Sequence, residues 1–234
     1  KAPMDMFERK RKGLRLFVKR VFIMEDCEEI LPEWLRFVVG VVDSEDLPLN
    51  VSREILQQDK TTKLIRKQVI KHALALLEQL ANEGEITESV DAGDEGEEGD
   101  ETKGEKAAEK KAEQKVERYK VFWPHFGRVL KEGVHYEPTS RETIAGLLRY
   151  QSSTQDVPTS LADYVVRMKA EQPGIYYIAA DSLDTAKNSP HIEALRAGGF
   201  EVLYMTDPVD DWVVEAMGNF QEKKFVAAGK GALD

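Results

Sequence analysis

Hydrophobic positions in the first eighty residues recur first in twos and then in threes and fours. From Leu14 to Ile23 they alternate, with Leu14, Leu16, Val18 and Phe22 on one side and Phe17, Val21 and Ile23 on the other. A period of two with both sides apolar predicts an interior strand. Ile30 to Phe37 reads as a short helix with Pro32 in its first turn. Val38, Val39, Val41 and Val42 make a β-branched run around Gly40, which predicts a second strand. Past a polar loop, Leu64, Ile65, Val69, Ala73, Leu76, Leu77 and Leu80 recur at three and four, the stripe of one long helix. Lys63, Arg66, Lys67 and Lys71 lie mostly off that stripe; a solvated face and a phosphate-tracking face are both open.

The second half changes rhythm. Tyr119, Phe122, Phe126, Val129 and Leu130 are spaced for one helical face, Arg141 to Tyr150 and Ser160 to Met168 add two further helices, and Thr139 or Ser140 and Ser160 are candidate N-caps. Strand Ile175 to Ala180, helix Leu183 to Ala197 closed by Gly198-Gly199, strand Phe200 to Met205, helix Val209 to Phe220 and strand Phe225 to Ala228 then follow. That order predicts a small parallel sheet with right-handed crossovers. Trp212 falls at the edge of the stripe Val209, Val213, Ala216, Met217, Phe220, either as a half-buried packing residue or as an exposed anchor.

Between the halves the pattern stops. Residues 83 to 117 hold no aromatic residue and no Leu, and carry fourteen Asp and Glu against five Lys. Such a stretch cannot bury enough apolar surface to offset chain entropy, so most of it is expected to be disordered, with 105 to 118 helix-prone. It holds nearly all of the net charge of −10, so the rest is close to neutral and offers no basic footprint for nucleic acid. No apolar run approaches the ~20 residues that span a bilayer. Cys27 stands alone, which excludes an internal disulfide and fits a reducing compartment. The chain does not begin with Met, as a piece of something longer would not. These breaks divide it into a larger α/β unit at 1–82, an acidic insertion at 83–117, a helical connector at 118–158 and a smaller α/β unit at 159–234: a layered α/β fold of two αβα units.

Independent active-site chemistry is hard to find. There is no Gly-rich phosphate loop, the four His have no metal-ligand spacing, and no Ser, His and acid set stands out. Asp207 and Asp210-Asp211 read as the start of a helix. The polar loop after Val42 is the exception. Pro48 fixes its backbone, Asn50 and Ser52 can cap a helical turn, and Arg53 is held between packed elements. A guanidinium presented this way suits an oxyanion; pairing with Glu45 or Asp46 is the alternative.

The runs DSEDLPLNVSREILQQ and FVKRVFIMEDCEEILPEWLRFVVGVV, with KVFWPHFGRVLKEGVHYE, LLRYQSS, SLADYVVRMK, IYYIAADS, SPHIEALRAGGFEVLYMTDPVDDW and FQEKKF downstream, resemble the middle domain of the heat shock protein 90 family of ATP-dependent chaperones. The wording is closer to the bacterial and organellar branch. The resemblance covers almost everything outside 83–117, and that insertion departs from the family pattern. It implies strands ahead of Lys1, an N-terminal domain elsewhere in the parent that binds ATP with Mg2+, a C-terminal dimerisation domain, a homodimeric parent, and unfolded or partly folded clients with possible co-chaperones. No cofactor or metal is expected in this segment itself, and neither nucleic acid nor membrane is an expected partner. Arg53 matches the family's catalytic arginine, reaching the ATP γ-phosphate, and Gln57 its polar partner. Phe22 with Ile23 matches a patch that docks on the nucleotide domain, although a buried strand role fits the pattern as well. Trp212 is the client-binding candidate. The expected location is the cytoplasm, with a mitochondrion or plastid as alternative, and the isolated segment is expected to be inactive as an ATPase. A non-catalytic module that binds clients or co-chaperones is the alternative reading.

Overall fold

The computed structural model describes residues 13–48, 56, 59–82 and 101–229, with backbone alone over 101–117. The expected unstructured stretch over 83–100 lies outside the described residues. From Glu101 the backbone is helical, so the helix-prone half of the insertion runs straight into the aromatic helix.

The run Leu14 to Ile23 is a hairpin and not one strand. β1 (Leu14–Val18) and β2 (Val21–Met24) pair antiparallel across Lys19-Arg20, with φ of 51° and 65°. Two successive left-handed residues make the tight turn whose twist matches the strands. β3 (Gly40–Ser44) lies on the other side of β1 and runs parallel to it, which requires the crossover through the 3-10 turn Glu33–Leu35. The expected helix at 30–37 is reduced to that turn. β1 faces the core with Leu14, Leu16 and Val18, whereas β2 is half-exposed.

α1 (Lys60–Asn82) buries Ile70, Ala73, Leu74 and Leu77. Its start is fixed by Asp59, whose carboxylate accepts from the Thr62 N–H at 2.8 Å. α2 (Glu101–Tyr136) carries the connector. Phe37 packs on its Phe122 and Phe126, and Arg36 forks onto Glu132 at 2.6 and 2.8 Å. Gly133 lets the Trp34 ring lie on the helix: a Cβ there would stand 2.7 Å from the indole.

α3 (Arg141–Leu147) is shorter than expected, because Arg149–Ser152 is a strand, β4, that buries Tyr150 and Ser152 alternately. Ser140 makes no capping hydrogen bond; Thr139 donates to Glu137 instead. β5 (Thr159–Ser160) leads into α4 (Leu161–Arg167), where Ser160 is the expected cap, accepting from Asp163 N–H at 2.9 Å.

β6 (Gly174–Ala179), β7 (Leu203–Met205) and β9 (Lys223–Ala227) form the expected parallel core, joined by α5 (Leu183–Lys187), α6 (Glu193–Ala197) and α7 (Asp210–Met217). Pro190 opens a separate 3-10 turn and divides the single helix expected at 183–197. Gly199, at φ 70°, closes α6 as a Schellman cap, with Phe200 N–H returning to Leu195 C=O. β8 (Asn219–Phe220) pairs with β9 across Gln221-Glu222, both again left-handed. The full order is β5-β4-β7-β6-β9-β8, a mixed sheet wider than the parallel one expected.

The pleat sorts this sheet's residues into two cores. Ile175, Leu203, Met205 and Phe220 join α7 and the whole first half of the molecule in one continuous cluster that includes Leu14 and Trp34. Tyr176, Ile178, Val202 and Tyr204 pack with Ala186 and Leu195 in a second cluster on the opposite face.

Candidate functional site

The end of β3 opens the polar loop, and it is tied to the hairpin turn. Lys19 N–H donates to Ser44 C=O at 3.1 Å, and Arg20 N–H to the Asp43 carboxylate at 3.2 Å. The loop therefore leaves the sheet beside the turn that carries β2. At its far end Leu56 is fully buried in the core and Asp59 caps α1. Arg53 and Gln57, the expected catalytic pair, fall outside the described residues, as do Asn50 and Ser52.

Phe22 is 50 % exposed and Val21 51 %. The Phe22 ring meets Phe17 edge-on at 5.6 Å, opposite it in register. The pairing slips by one between Leu16 and Phe17, leaving Ile23 without a partner and packed against the core. The two docking candidates thus differ: Phe22 offers its ring outwards, and Ile23 supports it from behind. Val41, 54 % exposed, lies on β3, one strand further across the sheet beyond β1.

Trp212 sits across the molecule on α7, 48 % exposed, its ring 5.8 Å from His135 of α2. Beneath it is a cluster the spacing did not show. Lys131 is buried and its ammonium reaches Asp207 at 2.8 Å and Asp210 at 2.6 Å, while standing 4.5 Å from the Tyr150 ring centre. Burial holds the Asp210 carboxyl above its ordinary range although Lys131 pulls it down. Burial and the Asp210 charge together push Tyr150 well up. Asp210 also accepts from Asp207 N–H at 3.0 Å, so the helix-start reading of these acids holds and is incomplete. Among the described residues no group of three or more His, Cys, Asp or Glu is placed to hold a metal ion, and no helix is long and apolar enough to cross a membrane.

The family model described as Hsp90 protein matches residues 1–234. The chain belongs to the Hsp90 family. Relatives within it include the chaperone protein HtpG of Myxococcus xanthus, 46 % identical over 226 residues that cover 97 % of this chain and 30 % of the relative. HtpG of Burkholderia lata is 49 % identical over 237 residues, covering all of this chain and 33 % of the relative. Among solved structures, the middle domain of a Plasmodium falciparum heat shock protein superposes with a TM-score of 0.71 at 27 % identity, over 97 % of this chain and 76 % of that one. The fold is that of an Hsp90 middle domain, and the chain spans about a third of the length of these HtpG relatives.

Proposed function

We propose that this chain is the middle segment of an ATP-dependent chaperone and that it completes the ATPase site of a separate nucleotide-binding domain through Arg53. The observation that carries the reading is the hairpin tie: Phe22 and the first residues of the Arg53 loop emerge together, held by the bonds from Lys19 to Ser44 and from Arg20 to Asp43. A domain docked on Phe22 is then met by the loop. Arg53 contributes a planar cation to charge developing on the transferred phosphoryl group, and Gln57 a polar contact beside it. ATP and Mg2+ are held by the other domain, and the segment alone turns over no ATP. A cytoplasmic location, a homodimeric parent and client folding belong to the same proposal.

The test mixes the chain with a separately produced Hsp90 nucleotide-binding domain and measures ATP turnover. The wild-type chain should stimulate it. Arg53→Ala should remove most of the stimulation, at least roughly tenfold, with nucleotide affinity unchanged, because the arginine acts on charge that is larger in the transition state. Arg53→Lys should rescue poorly, since an ammonium lacks the fork. Unaltered turnover with Arg53→Ala sinks the assignment.

Trp212 favours a second role beside the first, that of a surface binding partly unfolded clients. A half-exposed aromatic flanked by the Asp211 carboxylate suits transient binding of unfolded chains. Trp212→Arg should weaken binding of such a client while changing stability by less than about 1 kcal/mol, the range for surface positions. A loss of several kcal/mol, on the scale of a deleted core aromatic, would make Trp212 structural.

A further inference from the structure

The second sheet contains a crevice apart from the Arg53 loop and Phe22, which shares only Asp211 with the surroundings of Trp212. Its parallel strands stand in the order β7-β6-β9, so the strand that comes first in the chain lies in the middle. The connection out of β6 crosses the face packed by Ala186 and Leu195 to reach β7, whereas the connection into β9 crosses the face packed by Val213. Open α/β sheets hold ligands in crevices outside the carboxyl ends of their strands. A cavity of about 410 Å³ lies there, between Ala179-Ala180 at the end of β6 and Ala228-Gly229 beyond β9, within the size range of small-molecule sites.

Its chemistry is asymmetric. Asp211 of α7 forms one wall, and Thr185 and His191 the other. The Tyr177 hydroxyl lies near Asp211, and it stays protonated at neutral pH because burial and the Asp211 charge both raise its pKa. Among the described residues no cation pairs with Asp211, and no hydrogen bond engages the Tyr177 hydroxyl or the His191 ring. No described lining residue is Lys or Arg. The Asp211 carboxylate beside the Tyr177 hydroxyl, over an alanine floor, selects positive charge on an apolar body.

We propose that this crevice binds a small organic cation, a guanidinium or ammonium group carried on a short apolar stem. The cation is held by Asp211 and the stem lies over the alanines. This goes beyond the ATPase and client readings, and it needs neither Arg53 nor the Trp212 ring.

Butylguanidinium is a suitable probe, because butylurea has nearly the same shape without the charge. Titrated into the isotope-labelled chain, butylguanidinium should shift the amides of Ala179, Ala180, Asp211, Ala228 and Gly229 saturably, in the millimolar range. Butylurea should bind at least roughly tenfold more weakly, the scale of one charge-assisted contact. Asp211→Asn, at an exposed position, should cost a similar factor with melting temperature unchanged, and His191→Ala should weaken binding several-fold. Arg53→Ala should bind as the wild type does. The proposal is overturned if no saturable shift occurs, if Asp211→Asn binds equally well, or if the shifts spread over acidic surface generally. An arginine-containing peptide that saturates the crevice where butylguanidinium does not would identify a peptide subsite, and overturns it too.

Discussion

Tyr164 shows what one buried hydroxyl holds together. It donates to Glu201 C=O at 2.7 Å, and accepts from Tyr176 N–H at 2.9 Å and the Gln172 amide at 2.7 Å, tying α4 to the start of β6 and the approach to β7. Burial pushes its pKa to about 12, so it stays a donor at neutral pH. Tyr164→Phe keeps the ring and strands these partners. With roughly 1–3 kcal/mol for an orphaned buried group, the loss in urea denaturation should be at least about 2 kcal/mol. A loss below about 0.5 kcal/mol would mean that the network is not held by this oxygen. Nothing in the sequence marked Tyr164 apart from other aromatic residues, because its partners lie on other elements. Lys131 was missed for the same reason: its carboxylate Asp207 is 76 residues away. Arg53 stood out through its loop and through the family resemblance, and Gln57 through the resemblance alone; both lie outside the described residues.

At the scale of elements, the long periodic segments were readable and the short ones were not. α1 and α7 follow from repeats of three and four that run far enough to be distinctive, and the three parallel strands from the alternation of strand and helix. β4 is four residues long and directly follows Leu147 and Leu148, so the apolar pair at the helix end runs straight on to Tyr150, the one apolar residue of the strand. The hairpins were hidden more effectively, because neither turn carries glycine or asparagine. Lys19-Arg20 and Gln221-Glu222 adopt left-handed conformations that cost L-residues about 1 kcal/mol each. Pairing on both sides holds them there. Replacing Lys19-Arg20 with Asn-Gly should therefore stabilise the chain by about 1 kcal/mol, seen as a higher urea midpoint. The backbone bonds to Ser44 and Asp43 are kept, so stimulation of ATP turnover should be unchanged. A lowered midpoint would show that the Lys19 or Arg20 side chain, rather than the turn geometry, is what the position requires.

For the whole molecule the decisive contact is the Lys131 cluster, where α2, α7 and β4 meet. The raised pKa of Asp210 means that the folded chain holds this proton more tightly than the unfolded chain does. Its contribution to stability grows as pH falls from neutral towards the ordinary carboxylate range, and is lost as pH rises through the raised value. Asp210→Asn removes that titration. Measured at a series of pH values across this window, wild type should gain on the variant as pH falls, whatever the offset between them at neutral pH. A gap independent of pH would show that Asp210 does not titrate in the fold.

One core runs unbroken from Leu14 and Trp34 through α2 to Val213 and Phe220. Close-packed interiors barely compress, so the two sheets leave no soft layer between them to take up a displacement. The strand that carries Phe22 and the helix that carries Trp212 are thus anchored, through Ile23 and Val213, in one shared interior rather than in two.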